Sequence, residues 1–222
     1  MNPSTTLFEI LDYLGLPKVN GIFQVGANVG QEVPLFLENK VSCAFLVEPQ
    51  DHIFPILAEK VLNIPDFHPI KALLAEQSGL EVVLNVASNE GGSSSILDPE
   101  GHKKIWPFIK FEQTQNHVTT TLDRLYEEIS IGVWREKLSF VDTLYMDTQG
   151  YEYNILLGAS NFLRKINYIY SEHFREVFYN NSRPLTDYVK LLEGNGFTLN
   201  NINYNRSHHA EMFFVRRSLI GL

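Results

Sequence analysis

Short apolar runs of strand length alternate with segments of helical periodicity along most of this chain. The runs cover residues 21–25, 43–47, 69–74, 140–146 and 166–171. Helical patterns lie between most of them, at residues 31–38, 52–62, 122–129 and 151–163. Strands that are separated by helices can pair in parallel, and a parallel sheet needs helices over both of its faces. The alternation therefore predicts an α/β fold with a twisted, mostly parallel sheet between two helical layers.

Two parts of the chain depart from this alternation and predict antiparallel pairing. Residues 80–86 follow the 69–74 run after a short turn that leaves no room for a helix, which predicts a hairpin. Near the C-terminus, a helical pattern at 185–192 precedes two strand-like segments at 197–202 and 212–215, joined by a short polar loop. We therefore expect the sheet to end in an antiparallel hairpin.

The length of 222 residues, 44% of them apolar, suits one domain with a substantial core. We expect a single domain over residues 1–222, with a leading amphipathic helix within 1–16 that begins near Asn2 and Pro3. Residues 88–116 are expected to form a loop or lid, in which the polar stretch 110–116 has no regular structure.

Charge and composition disfavour several classes of protein. The chain has 18 Lys and Arg against 26 Asp and Glu, a formal net charge of −8 with no long run of either sign, which disfavours nucleic acid as a partner. Glu9 and Asp12 interrupt the N-terminal apolar residues, unlike a secretion signal, and no stretch approaches the roughly 18 apolar residues of a membrane span. A lone cysteine, Cys43, fits a reducing compartment. We expect a cytoplasmic protein with no membrane span.

The strongest local signal is a glycine turn between the first strand and the following helix. Gly26 allows a sharp turn, and Gly30 allows close packing or the approach of a ligand. The free amides at the helix start favour an anionic group. Glu48 ends the next strand, 18 positions beyond Gly30, where an acid accepts hydrogen bonds from ribose hydroxyls. Together these features indicate a ligand that contains adenosine.

The identity of that ligand stays open on spacing alone. The Gly-x-x-x-Gly spacing of Gly26 and Gly30 differs from the Gly-x-Gly-x-x-Gly that lets a backbone approach a pyrophosphate, which disfavours a dinucleotide. A nicotinamide-dependent oxidoreductase remains an alternative. So does a catalytically inactive module that binds an adenosine cofactor.

Six short motifs occur in the order and approximate spacing of the FkbM family of methyltransferases, which this chain resembles between residues 21 and 197. They are VGANVG at 25–30, VEP at 47–49, GSSSI at 92–96, VTTTLD at 118–123, YMDTQGYE at 145–152 and LGA at 157–159. The resemblance implies a Rossmann-like class I methyltransferase fold. It also implies an S-adenosylmethionine-dependent enzyme that methylates hydroxyl groups, commonly on sugars or natural products.

The same resemblance implies a set of cofactor contacts. They are Gly26, Asn28 and Gly30 at the methionine end of S-adenosylmethionine, Glu48 at the ribose, and Ala72 and Leu73 beside the adenine. Methyltransferases of this fold usually have an acid where this chain has Gln24. Gln24 can form hydrogen bonds to the cofactor but brings no negative charge to its ammonium group.

Candidate catalytic groups follow two of the predicted central strands. Methyl transfer to an alcohol requires removal of a proton, and reactive groups are expected at the carboxyl ends of the strands. Asp147 ends one strand, and Glu172 and His173 end the next. His173 is a candidate general base because its ordinary pKa is near neutrality, and Glu172 or Asp147 would orient it. Alternatively, Asp147 and Glu172 hold a divalent cation such as Mg²⁺, or Asp147 contacts the methionine ammonium.

Acceptor recognition is expected within residues 88–116. Trp106 provides an aromatic face for stacking on a sugar ring, and Ser94 and Ser95 lie in a loop rich in hydroxyl groups. Lysines in the same segment would attract phosphate or carboxylate. The sequence therefore predicts an O-methyltransferase whose acceptor is a small molecule or a glycan. The methylated hydroxyl would belong to a sugar, in a glycan or a nucleotide-sugar, or to a natural product.

Overall fold

The structure, a computed structural model, describes residues 6–204 and 208–221. Helices and strands alternate through most of the described chain. The helices are α1 (Leu7–Leu14), α2 (Val33–Glu38), α3 (Phe54–Val61), α4 (Glu100–Ile105), α5 (Leu122–Ser130), α6 (Arg135–Leu138), α7 (Glu152–Leu157) and α8 (Leu185–Gly194). The strands are β1 (Gly21–Val25), β2 (Cys43–Val47), β3 (Phe67–Ile70), β4 (Leu73–Leu74), β5 (Glu81–Val86), β6 (Gln113–Thr120), β7 (Val141–Met146), β8 (Tyr168–Phe174), β9 (Phe197–Asn203) and β10 (His209–Arg216).

Seven strands form the main sheet, in the order β3-β2-β1-β7-β8-β10-β9. The first strand is central, because it pairs in parallel with β2 on one side and with β7 on the other. The last strand, β10, lies between β8 and β9 and runs antiparallel to both. The predicted mostly parallel sheet with a C-terminal antiparallel hairpin is therefore confirmed.

Helices cover both faces of this sheet, and their apolar side chains form two separate clusters. Successive side chains of a strand point to opposite faces. On β1, Ile22 packs in the cluster that includes α1, α2 and α3, whereas Phe23 packs in the cluster that includes α5 to α8. All five residues of β1 and of β2 are buried. This two-sided burial explains why both strands are apolar except at Gln24.

A smaller sheet of three strands contains β4, β6 and β5 in that order. The hairpin predicted between residues 69–74 and 80–86 is wrong, because β5 pairs antiparallel with β6. The 69–74 run itself divides: β3 joins the main sheet, and β4 pairs in parallel with β6. Residues 110–116 are also not all loop, since β6 begins at Gln113. Most side chains of β6 are polar, so no apolar pattern marked this strand.

Two helix predictions changed at their ends. The predicted 151–163 helix is shorter in the structure: α7 ends at Leu157, and a separate 3₁₀ helix covers Phe162–Arg164. Gly158, which follows α7, packs closely on Ala75, where an added Cβ would be 2.6 Å from the carbonyl oxygen. At the other end of the chain, α1 is capped by Thr6 and Glu9 in a reciprocal capping box. Asn2 and Pro3, the predicted start of this helix, lie outside the described residues. The longest described helix, α8, has 10 residues, so no described helix could cross a membrane.

The carboxyl ends of β1 and β7 come very close together at Gly26. An added Cβ on Gly26 would lie 1.8 Å from the backbone oxygen of Asp147, and the residue has a φ of 82°. The amide of Asp147 in turn donates a hydrogen bond to the carbonyl of Val25 (3.0 Å). Glycine is required here because any side chain would meet the backbone of the neighbouring strand.

Gly26→Ala is expected to lower the free energy of unfolding by about 3 kcal/mol or more, because a backbone clash adds to the strain of a left-handed conformation. Gly79→Ala is the matched control, since Gly79 has a φ of 84° and no atom within 4 Å of an added Cβ. Its loss should be about 1–2 kcal/mol. Urea unfolding of both variants measures the difference. Equal losses would contradict the requirement for glycine beside Asp147.

Candidate active site

A cleft of about 730 Å³ opens at the carboxyl ends of β1, β2 and β7. It passes between the glycine turn after β1, the strand end at Glu48 and the loop after β7. Most of the cofactor contacts implied by the sequence line it, namely Gly26, Asn28, Glu48, Ala72, Leu73 and Asp147. In open α/β sheets, ligands bind outside the carboxyl ends of the strands, at the point where the strand order reverses. The cleft is therefore the candidate cofactor site.

Glu48 is buried beside the glycine turn and is held by backbone amides. One carboxylate oxygen accepts a hydrogen bond from the amide of Asn28 and the other from the amide of Gln50, both at 2.9 Å. Burial raises the pKa of Glu48, and these hydrogen bonds oppose the rise by stabilising the carboxylate. Each oxygen keeps a lone pair that can accept from a ligand hydroxyl. This geometry suits a ribose that lies in the cleft.

The two glycines of the turn have different surroundings. Gly26 lines the cleft, whereas an added Cβ on Gly30 would meet the side chains of Leu57 and Lys60 on α3 at 3.0 and 3.2 Å. Gly30 is therefore placed against a packed helix, and it is not among the residues that line the cleft. Asn28 lies between the glycines with a φ of 42° and lines the cleft.

Gln24 is buried behind the cleft and contacts an acid that the sequence reasoning missed. Its Nε2 donates to the Glu32 carboxylate (2.8 Å), and its Oε1 has no hydrogen-bond partner among the described residues. Glu32 immediately precedes α2 and lines the cleft. Burial raises the pKa of Glu32, the Gln24 hydrogen bond lowers it, and the nearby charge of Asp147 raises it further. The sequence could have indicated Glu32, because it is an acid only two residues after Gly30.

Asp147 and Glu172 form a partly buried carboxyl pair near the ends of β7 and β8. The Nε2 of Gln149 donates to both, at 2.6 Å to Asp147 and 2.9 Å to Glu172. Desolvation raises the pKa of both acids, and the charge of Asp147 raises the pKa of Glu172 well above its ordinary value. A protonated Glu172 can hydrogen-bond to ionised Asp147, which lowers the Asp147 pKa. These shifts favour a pair that shares one proton.

His173 lies on the other face of the sheet from this pair. Adjacent residues of a strand point to opposite faces, so Glu172 and His173 diverge. Glu172 lines a small cavity with Asp147, whereas the ring of His173 packs on Tyr188 of α8, with centroids 5.4 Å apart. Burial lowers the pKa of His173. The structure therefore brings Asp147 and Glu172 together but not His173.

The carboxyl pair does not fit the predicted divalent cation. Within residues 6–204 and 208–221, no group of three or more His, Cys, Asp or Glu side chains is placed to hold a metal ion. One oxygen of each acid accepts an N–H hydrogen bond from Gln149, and the charge of Asp147 favours the protonated form of Glu172. A hard cation prefers several ionised oxygen ligands. We assign no metal step to this site.

Glu152 is a buried acid whose role was only partly visible in the sequence. One of its carboxylate oxygens accepts from the amides of Thr148 (2.7 Å) and Gly150 (3.3 Å). The hydroxyl of Tyr188 donates to the other oxygen (3.3 Å). Glu152 therefore holds the loop that follows β7, which carries Asp147 and Gln149 into the cleft.

Ser94 and Ser95 of the 92–96 motif line the cleft, but Trp106 does not. Ser94 donates to the side chain of Gln50 (2.8 Å), and Ser95 donates to the carbonyl of Gln149 (2.9 Å). Trp106 instead stacks on Phe178, with centroids 4.9 Å apart. Residues 88–116 thus include the α4 helix packed on a separate aromatic cluster.

The lysines of this segment have partners close by. Lys104 pairs with Glu100 at 3.0 Å, and Lys110 donates to the carbonyl of Pro107 at 2.8 Å. Neither contact points to an anionic acceptor. The predicted attraction of phosphate by these lysines gains no support from their positions.

Comparison with known proteins identifies the family. The family model of the Methyltransferase FkbM domain matches residues 24–202 of this chain. The chain therefore belongs to the FkbM methyltransferase family. The resemblance seen in the motifs is confirmed, and the match is to S-adenosylmethionine-dependent methyltransferases, not to nicotinamide-dependent oxidoreductases.

More distant relatives agree with this assignment at the level that their similarity allows. The 2-O-methyltransferase NoeI of Sinorhizobium fredii is 22% identical over 178 residues, which is 77% of this chain and 70% of that protein. The fibrillarin pre-rRNA processing protein of Methanococcus jannaschii has a TM-score of 0.50 at 13% identity, over 97% of this chain and 76% of its own. A protein of the NADB-Rossmann superfamily from Streptococcus agalactiae has a TM-score of 0.50 at 13% identity, over 97% and 71%. The two structures show a shared Rossmann-like fold.

Glu152→Ala is expected to lower the free energy of unfolding by about 2–4 kcal/mol, because two buried backbone amides lose their acceptor. Glu152→Gln keeps one acceptor oxygen and should lose less. Asp187→Ala is the matched control, an acid in the first turn of α8 whose carboxylate is 31% exposed. Urea unfolding compares the three variants. A loss for Glu152→Ala no larger than that for Asp187→Ala would contradict the role of Glu152 in this FkbM-family loop.

Proposed function

We propose that this protein transfers the methyl group of S-adenosylmethionine to a hydroxyl group of a sugar. One observation carries the proposal: a single cleft joins a ribose-compatible acid, Glu48, to the proton-sharing pair that begins at Asp147. Family membership supports the methyl transfer. The similarity to a 2-O-methyltransferase supports oxygen as the methylated atom.

The cleft offers a different environment to each part of the cofactor. We place the ribose hydroxyls on the free lone pairs of Glu48 and the adenine against the apolar side chains of Ala72 and Leu73. The methionine portion then extends past Gly26 and Asn28 towards Asp147. We therefore propose the cofactor contacts implied by the sequence, with two exceptions. Gln24 and Gly30 do not line the cleft and act from behind its wall.

Glu32 is proposed as the counter-charge for the ammonium group of the cofactor. It lines both the cleft and a polar cavity next to it, as does Asp147. Gln24 holds the Glu32 carboxylate through its amide and supplies no charge of its own. A charge-assisted hydrogen bond between an ammonium and this carboxylate would therefore replace the contact that an acid at position 24 would make.

Glu32→Gln is expected to weaken the binding of S-adenosylmethionine at least tenfold, since a hydrogen bond to a charged group contributes about 1.5–3 kcal/mol. Binding of 5′-methylthioadenosine, which lacks the ammonium, should not change. Glu38→Gln, at the exposed end of the same helix, is the matched control. Isothermal titration calorimetry measures both ligands. Equal weakening of both ligands, or of neither, would refute the assignment of the ammonium to Glu32.

The cavity beyond the cleft favours a neutral acceptor. It has a volume of about 680 Å³ and opens beside Asp147. Its polar lining consists of Glu32, Tyr145, Asp147, Glu172, His209 and Glu211. Carboxylates accept hydrogen bonds from hydroxyl groups and repel phosphates, so these walls suit the hydroxyls of a sugar better than the diphosphate of a nucleotide-sugar.

The carboxyl pair is proposed to accept the proton of the acceptor hydroxyl. S-adenosylmethionine supplies the methyl group from a positively charged sulfur. The acceptor oxygen bonds to the methyl carbon as the carbon–sulfur bond breaks. The electron pair of the carbon–sulfur bond goes to sulfur. The hydroxyl proton goes to Asp147, the ionised member of the pair with Glu172. We prefer this pair to His173 because His173 points to the other face of the sheet.

Asp147→Asn is expected to lower kcat about 100-fold or more, the usual effect of losing a general base. His173→Gln should lower it less than about tenfold, because its ring packs away from the cleft. Mass spectrometry follows methylation of a panel of neutral oligosaccharides, nucleotide-sugars and natural-product alcohols, with and without a chelator. Loss of turnover in His173→Gln alone would restore the histidine as the base.

The same panel separates the remaining alternatives. Methylation of nucleotide-sugars in preference to neutral sugars would contradict the acceptor class. Binding of S-adenosylmethionine with no methylation of any acceptor would favour an inactive binding module. Sensitivity to the chelator would contradict a mechanism that uses the carboxyl pair alone.

A further inference from the structure

Gln149 forms four hydrogen bonds that join three parts of the chain. Its Nε2 donates to Asp147 (2.6 Å) and to Glu172 (2.9 Å). Its Oε1 accepts from the hydroxyl of Tyr179 (2.8 Å), and its backbone carbonyl accepts from Ser95 (2.9 Å). One residue thus connects the carboxyl pair, the loop after β8 and the serine motif.

The backbone of Gln149 adopts a conformation that is more favourable for glycine than for glutamine. Its φ is 56°, in the left-handed region, which costs a residue with a Cβ about 1 kcal/mol or more. Glycine would turn the chain here without that cost, and the next residue is Gly150 with a φ of 91°. The hydrogen bonds of the glutamine side chain offset the strain. These hydrogen bonds explain why glutamine occupies position 149.

The orientation of the Gln149 amide is fixed from both ends. Two carboxyl oxygens lie within hydrogen-bond distance of one amide atom, and only the NH₂ end can donate to both. The oxygen end then faces the buried hydroxyl of Tyr179, whose single proton is within hydrogen-bond distance of both this oxygen (2.8 Å) and the carbonyl of Ser93 (2.9 Å). Burial raises the pKa of Tyr179 well above its ordinary value, so the phenol keeps its proton. Tyr179 therefore acts on the pair through Gln149.

The surroundings of the pair make this donor important. Two carboxyls in hydrogen-bond contact cannot both ionise easily, and further charges oppose ionisation. The other titratable groups that face the pair are Glu32 near α2, Glu48 after β2, Glu152 on α7, Tyr179 in the loop after β8, and His209 and Glu211 on β10. His209 lies 3.5 Å from Glu172 and gives partial compensation when protonated. N–H donation from Gln149 favours the ionised form of either acid.

We propose that Gln149, oriented by Tyr179, is a positioning residue that keeps the Asp147 and Glu172 carboxyls side by side with one of them ionised. This inference rests on the proposed function, in which that pair accepts the acceptor's proton. Neither residue touches the reacting atoms in this role. They act by holding the proton acceptor in the form that can take a proton.

Infrared spectroscopy tests this directly on the full-length protein, without an acceptor. The C=O stretch of the protonated carboxyl is followed as pH rises, and Glu172→Gln identifies the band by removing it. Removing a donor to the ionised form raises the pKa, so Gln149→Leu should move the titration midpoint up by about one pH unit or more. Gln113→Leu, a glutamine at the exposed start of β6, is the matched control and should leave the midpoint unchanged.

The role of Tyr179 is tested by combining variants. Tyr179→Phe should shift the midpoint in the same direction by a smaller amount. Because Tyr179 acts through Gln149, adding Tyr179→Phe to Gln149→Leu should produce no further shift. Additive shifts would overturn the link between the two residues. If Gln149→Leu does not fold, Gln149→Met, which is close to glutamine in length and has no donor, takes its place.

Activity supplies an independent readout. In Gln149→Leu the acidic limb of the pH–kcat profile, which reports the ionisation of Asp147, should also move to higher pH, with recovery of kcat above the new pKa. A uniform loss of kcat at every pH, with an unshifted infrared midpoint, would overturn the positioning role and indicate a structural one. Failure of the wild-type protein to bind S-adenosylmethionine or to methylate any acceptor would overturn the proposed function, and the infrared midpoint would still report on the pair.

Discussion

The close approach of β1 to β7 determines the geometry of the rest of the site. Gly26 leaves β1 directly beside the backbone oxygen of Asp147, at a distance that excludes any side chain. The amides of Gly26 and Ala27 also donate to the carbonyl of Val47 at the end of β2 (3.0 Å each). The ends of three parallel strands are therefore held together by backbone contacts, and the Glu48 side chain adds a further link to the turn after β1. This arrangement brings Glu48 and Asp147, which lie 99 positions apart in the sequence, to the same cleft.

Buried and partly buried acids surround this meeting point, and neutral groups hold them by hydrogen bonds. Backbone amides hold Glu48 and Glu152, and glutamine side chains hold Glu32 and the Asp147 pair. A lysine or arginine in these places would neutralise the carboxylates, whereas an amide stabilises a carboxylate without cancelling its charge. The site consequently keeps a negative potential in a largely buried space. Such a potential complements a cofactor that carries both a sulfonium and an ammonium, and it explains why the same walls suit a neutral acceptor.

The sequence predicted the parts of the fold that depend on apolar burial. Both β1 and β2 have the predicted bounds, because strands covered on both faces are mostly apolar. The strand β6 was missed because its first five residues, 113–117, are all polar and give no apolar pattern. Without β6, the neighbouring β5 seemed to have no partner except the strand before it, and the wrong hairpin followed. The acid Glu48 was found from spacing, whereas the distinct surroundings of Gly30 depended on which helix packs against it.

The candidate base shows most clearly what sequence position leaves undetermined. Glu172 and His173 are adjacent at the end of a strand, so both met the expectation for reactive groups, yet one peptide unit turns them to opposite faces. The register of β8 decides the matter: Glu172 lies opposite Glu211 of β10 and beside Asp147, while His173 faces Tyr188. The position of His173 therefore does not support a role as the base, although its ordinary pKa would suit one. In the proposed mechanism, the ionised carboxyl of Asp147 accepts the proton instead, held beside protonated Glu172 by the amide of Gln149.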